Sequence, residues 1–234
     1  MKKTAVTQDN EESRWKNLYR VGGVAALTVV GIMVVQILIF VIWPPPETVE
    51  GFIDLMQDHP FLGLLSMDLL YILNNTILVL IYLALFFALR RSSETAVLIA
   101  MLLGVLGVAA YYASNTGFEM LSLSRQYVLA ASEAERTALL GAGQALLAIY
   151  KGTAFDIYYV LNAAALLIFA VVMLRSKVFS KATGWVGLAA GVLMTIPSTA
   201  GTLGLIFSLA SLVPWAVFSV MIARRFFQMG RSGE

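Results

Sequence analysis

Two short stretches carry most of the residues that could do chemistry in this chain: Asp68-Leu-Leu-Tyr71-Ile-Leu-Asn74 and Asp156-Ile-Tyr-Tyr159-Val-Leu-Asn162. Each sets a carboxylate, a phenol and a carboxamide three residues apart, which on a helix places them along one broad side over two turns. Such a set can take a proton or a cationic group at Asp68 and Asp156, line a cavity with Tyr71 and Tyr159, and orient polar groups with Asn74 and Asn162. Ser114 and Asn115, with Ser198 and Thr199, follow at corresponding places further along, so the candidate ligand-binding residues are Asp68, Tyr71, Asn74, Asp156, Tyr159, Asn162, Ser114, Asn115 and Ser198. A plainer account exists for each. Aspartate in a first helical turn complements the macrodipole, and asparagine in a membrane helix often only bonds a neighbour. Ionisable residues in apolar helices are nevertheless functional candidates by default.

Much other chemistry is excluded. There is no cysteine, so thiolate catalysis, disulfide exchange and iron–sulfur ligation are ruled out, and the single histidine, His59, cannot build a cage of imidazoles. No G-x-S-x-G, H-E-x-x-H or Walker loop occurs. No metal and no cofactor is expected. A net charge of +2 offers no basic footprint for nucleic acid.

The elements that position these residues follow from hydropathy. The 234 residues are 59% hydrophobic and 13% charged, against roughly 45–50% and about 25% in soluble domains, and the mean hydropathy is +0.82. One buried core cannot absorb that excess, so the partner is the lipid bilayer. At about 20 residues per crossing, the sequence predicts an all-α polytopic membrane bundle of six helices. They fall near Leu18–Trp43, Phe61–Leu89, Thr95–Gly117, Lys151–Leu174, Thr183–Ala200 and Thr202–Ala223. The first apolar run is too long for a signal peptide and ends in Trp43 and three prolines, so it reads as a retained anchor. Pro197 and Pro214 are expected to kink helices 5 and 6.

Most of the 16 basic residues fall on one side of this arrangement: Lys2, Lys3, Arg14, Lys16 and Arg20 before helix 1, Arg90 and Arg91 after helix 2, Arg175, Lys177 and Lys181 after helix 4, and Arg224, Arg225 and Arg231 at the end. The positive-inside rule then predicts a bacterial inner-membrane protein with both termini cytoplasmic, a tail over 1–17, a membrane domain over 18–223 and a second tail over 224–234. Glu47, Glu50, Asp54 and Asp58 crowd the first outer loop. Residues 118–150 are too polar to cross. Ser132 followed by Glu135 has the form of a capping box, so two amphipathic helices, near Glu119–Ala131 and Glu133–Tyr150, are expected on the outer face between helices 3 and 4.

The two D-x-x-Y-[I/V]-L-N stretches belong to a longer similarity. Arg91-Ser92 corresponds to Arg175-Ser176, Gly107-Val108 to Gly191-Val192, Ser114 to Ser198 and Gly117 to Gly201. The segments 68–117 and 156–201 therefore read as a parallel internal repeat of two helical hairpins. The run Ala165-Leu-Leu-Ile-Phe-Ala-Val-Val-Met-Leu-Arg175-Ser-Lys-Val-Phe, leading to Gly184-Trp-Val-Gly-Leu-Ala-Ala-Gly191, resembles the bacterial integral membrane proteins grouped as domain of unknown function 4386. The resemblance covers most of the chain from helix 1 to helix 6. It implies the membrane topology and carries over no catalytic residue.

Three functions fit. The leading one is binding or movement of a small molecule or lipid through an outward-facing polar vestibule between the hairpins. The alternatives are an intramembrane enzyme using the paired carboxylates, and an accessory or sensory subunit with no chemistry of its own, as a homo-oligomer or with a membrane partner protein.

Overall fold

A computed structural model describes residues 15–231, and Lys2, Lys3 and Arg14 lie outside them. All regular elements among these residues are helices: α1 (Lys16–Ile42), α2 (Val49–Asp58), α3 (Pro60–Ser66), α4 (Leu69–Ser114), α5 (Gly117–Leu129), α6 (Glu133–Tyr150), α7 (Thr153–Arg175), α8 (Lys181–Leu193) and α9 (Gly201–Arg231). Among the described residues, four stretches are long and apolar enough to cross a membrane: Lys16–Ile42, Leu69–Leu129, Glu133–Arg175 and Gly201–Arg231. Within the second, Ser93 is extended (φ −167°, ψ 88°), and the chain turns there between two helical arms, 69–92 and 94–114. The expected break after helix 2 is thus present, but Arg90 and Arg91 still belong to the first arm.

Several boundaries differ from expectation for local reasons. The run 61–89 is not one helix. It is divided at Met67 and Asp68, and Asp68 takes a left-handed backbone (φ 61°) that ends α3 and starts α4. The expected fifth span, 183–200, is helical only to Leu193, a length of about 20 Å. Pro197 lies past its end in the irregular segment 194–200 and kinks no helix, whereas Pro214 does sit inside α9. The last helix runs on through Arg224 and Arg225 to Arg231.

The contacts form two compact units. Of the described residues, one comprises 15–30, Thr76–Gly107 and 159–231; the other comprises Gly31–Asn75 and Val108–Tyr158. In the first, small residues let helices approach. A side chain at Gly187 would meet Phe218 and Ala170, and one at Gly191 would meet Leu167. This unit also gathers several basic helix ends. Trp15 stacks on Phe87 at 3.7 Å between ring centroids, and the Arg90 guanidinium lies 5.9 Å from the Trp15 ring and 5.1 Å from that of Phe87. Arg20 donates to the Gly230 carbonyl (3.1 Å) and Arg225 to that of Val178 (2.6 Å). The start of α1, the end of the first arm of α4, the 176–180 connection and the end of α9 therefore meet.

The second unit has a core of its own, built by Val49, Phe52, Ile53, Met56, Met67, Met120 and Leu123. The acidic loop of the sequence reading is here a helix, α2. Thr48 caps it by accepting from the Gly51 amide (3.1 Å). Its apolar residues recur at i, i+3, i+4 and i+7 and are buried, while Glu50, Asp54 and Asp58 stay exposed. The capping box of α6 is formed: Ser132 accepts from the Glu135 amide (3.2 Å), and Glu135 reaches back to the Ala131 amide (2.8 Å). Gly143 of α6 lies against Val49 so closely that no side chain fits between them.

Candidate functional site

The second unit assembles a polar centre at the α3–α4 junction. Left-handed backbone costs an ordinary residue about 1–2 kcal/mol, which aspartate tolerates better than most. It turns Asp68 so that its side chain does not cap α4. The Asp68 carboxylate instead accepts a short hydrogen bond from the hydroxyl of Tyr150, the last residue of α6. The Asp68 carbonyl accepts from the Tyr111 hydroxyl (3.3 Å), and the preceding Met67 carbonyl accepts from the Asn115 amide nitrogen (2.8 Å). Asn115 in turn accepts from the Gly117 amide (3.2 Å), ending one helix and starting the next. Tyr111 packs on Tyr158 at 5.0 Å between centroids. A strained aspartate is thus held by phenols, and no lysine or arginine among the described residues bonds it.

Asp68 precedes the span that begins at Leu69. Burial pushes its carboxyl up to about 6, and the Tyr150 hydroxyl offsets part of that rise by favouring the anion. Around the junction the unit holds further buried polar atoms that no protein group satisfies. Both side-chain atoms of Asn75 are in this state, with Asn75 at 0% exposure, as are the carboxamide oxygens of Asn74 and Gln36 and the Ser66 hydroxyl. The Gln36 nitrogen is used, donating to the Leu65 carbonyl (3.2 Å). Buried unsatisfied groups are rare, and water or a ligand commonly explains them.

The expected residues divide between the units. Asp68, Tyr71, Asn74, Ser114, Asn115 and Asp156 belong to the second. Of these, Asp68 and Asn115 meet at the junction, and Ser114 donates to the Tyr111 carbonyl (2.8 Å) beside them. Tyr71 lies in the first turn of α4, and Asp156, half-buried, lies in the first turn of α7. Tyr159, Asn162 and Ser198 belong to the first unit. There Tyr159 bonds Ser208 (2.8 Å), Asn162 accepts a short hydrogen bond from Tyr82, and Ser198 sits in the turn before α9. Side chains at Gly104 and Gly107 would run into the Tyr82 ring and the Asn162 amide, so these two glycines make the room for that bond. Tyr82→Phe is expected to cost about 0.6 kcal/mol and at most ~1.7. Gly107→Val, which forces Asn162 aside as well, should cost about 1–3 kcal/mol. Reversible unfolding in mixed micelles measures both, and a smaller loss in Gly107→Val than in Tyr82→Phe would contradict the assignment.

Sequence reasoning missed Tyr150, Tyr111 and Tyr82 as partners, and Gln36 and Asn75 as buried polar groups. Only the rarity of such residues in apolar runs marked them. Asn75 adjoins an asparagine that was singled out. Among the described residues no cluster of acidic and histidine side chains suits a metal ion. No curated protein and no solved structure matches the chain. Residues 21–227 match the family described as a domain of unknown function, DUF4386, and the chain belongs to that family.

Proposed function

We propose that this is a six-span inner-membrane protein, both termini cytoplasmic, that binds a small molecule or lipid through a cationic or hydrogen-bonding group at the Asp68 centre. The six crossings are α1, the two arms of α4, α7, α8 with the turn after it, and α9. The meeting of the α1 start with the α9 end, through Arg20 and Gly230, supports termini on one side, and the basic residues gathered there support the cytoplasmic side. An origin by duplication draws support from Gly117 and Gly201, corresponding residues that each begin a helix.

The observation that carries the binding reading is a half-buried carboxylate partnered by a phenol and by no cation, in a unit where Asn75 is enclosed with both polar atoms unused. An unpaired buried charge is costly, and a proton or a ligand cation relieves the cost. Tyr150 bonds only one of the two carboxylate oxygens, Oδ2, which leaves Oδ1 for such a ligand.

The test is native mass spectrometry of the detergent-purified chain beside Asp68→Asn/Asp156→Asn and Tyr150→Phe. A stoichiometric adduct in the wild type, lost in the double variant and kept in Tyr150→Phe, is expected. A bare mass in the wild type and Tyr150→Phe alike would overturn the reading.

A further inference from the structure

A second site lies entirely within the first unit and shares no residue with the Asp68 centre. A cavity of about 380 Å³ opens where α4 turns at Ser93, between the start of the 94–114 arm and the last turns of α7. That volume falls within the range of ligand pockets, roughly 300–1,000 Å³. Its walls divide by polarity. Leu167, Ile168 and Val171 follow one face of α7 and, with Ala96, make an apolar trough; Arg175, on the same face at the end of α7, stands at its mouth with Ser92 and Ser93. From Leu167 to Arg175 the trough runs about 12 Å along the helix.

We infer that this cavity holds an anionic phospholipid, its acyl chain along Leu167, Ile168 and Val171 and its phosphate at Arg175. Three observations favour that occupant over a soluble anion. The greater part of the lining is aliphatic, Val171 is exposed at 36%, and the trough lies along a stretch apolar enough to cross a bilayer, so hydrocarbon and not water is the natural filling. Arg175 has no acidic partner among the described residues, which leaves its fork of donors open to a phosphate. Glu94, the nearest carboxylate in sequence to Ser93, does not line the cavity. The extended backbone at Ser93 also restarts a helix there, and the amides of its first turn have no intrahelical acceptors, so they add donors beside the two serine hydroxyls. Basic pockets between membrane helices on the cytoplasmic side recognise anionic headgroups by the same means.

The experiment mixes the full-length purified chain with equal amounts of phosphatidylglycerol and phosphatidylcholine of identical acyl chains and counts retained lipids by native mass spectrometry. One interfacial arginine is worth about 1 kcal/mol toward an anionic lipid, so the wild type should retain phosphatidylglycerol about fivefold over phosphatidylcholine. Arg175→Gln should bring that ratio close to one, while Arg224→Gln, an exposed arginine at the end of α9 that the cavity does not include, should leave it unchanged. Val171→Trp fills the trough and should lower retention of both lipids. A wild-type ratio in Arg175→Gln, or undiminished retention in Val171→Trp, overturns the inference. So does release of bound phosphatidylglycerol by excess inorganic phosphate, which would make the ligand a soluble anion. Should Val171→Trp fail to fold, the two arginine variants still decide. Because no Asp68-centre residue is altered, either site can fail without the other.

Discussion

Asp68→Leu is expected to destabilise the protein by about 2–5 kcal/mol, while Asp68→Asn costs less than about 1. Two effects add in the leucine variant. A left-handed backbone places Cβ too near the next carbonyl, at a cost of about 1–2 kcal/mol for an ordinary side chain, and Asp68 holds φ 61°. Loss of the carboxylate also leaves the Tyr150 hydroxyl without its acceptor, worth about 1–3 kcal/mol when the group is buried. Asparagine tolerates the same backbone and still offers an oxygen to Tyr150. Asp68→Gly separates the two effects, because it keeps the backbone and removes the acceptor, and should fall between them. Equal losses in the leucine and asparagine variants would show that neither the turn nor the Tyr150 bond matters.

The same side chain sets a pH dependence. Its folded value of about 6 lies above the ordinary 3.8, so the folded state holds the proton more tightly than the unfolded chain. Stability is therefore greatest below about pH 4, falls as pH rises toward 6 and levels off above it, by about 1.4 kcal/mol for each unit of difference. Asp68→Asn should lack this slope. Unfolding of both proteins at pH 4, 5, 6 and 7 measures it, and a parallel pH course in the two would exclude Asp68 as its source.

Phe52→Ala should cost about 3–5 kcal/mol, the usual range for removing a buried phenylalanine and leaving a cavity. Phe52 is 4% exposed at the centre of the cluster that joins α2 to α5 and α6. The loss should fall on that cluster, so proteolysis should open the 43–48 and 130–132 connections first. Asp54→Ala, on the exposed face of the same helix, should change stability by no more than about 0.5 kcal/mol. If Phe52→Ala left both stability and cleavage untouched, α2 would not be a structural part of this unit.

Local features were legible in the sequence. Hydropathy located the apolar stretches, because a span of lipid demands about 20 apolar residues whatever the fold. Ser132 and Glu135 announced the start of α6, since a cap is made by residues three apart. The pattern Val49, Phe52, Ile53 and Met56 is equally visible, but the four acids in and around it, Glu47, Glu50, Asp54 and Asp58, point toward a loop. Charge says which face meets solvent and does not say that the segment is irregular.

Composition and periodicity suffice for an all-helical, strongly apolar chain with few polar side chains and for a shortlist that includes Asp68, Asn115 and Asn162. The roles of those side chains come from the packing of distant helices. Asp68 and Asp156 head the same seven-residue pattern, yet one is a left-handed junction bonded to Tyr150 and the other sits in an ordinary first turn. Asn74 keeps an unused oxygen, while its counterpart Asn162 is bonded to Tyr82. The reason is distance along the chain. Tyr150 is 82 residues from Asp68 and Tyr82 is 80 from Asn162, and no local propensity or periodicity reaches that far. Such pairs arise only once helices pack, when glycines such as Gly104 and Gly107 let one wall approach another and the buried polar groups must find whatever partner lies opposite.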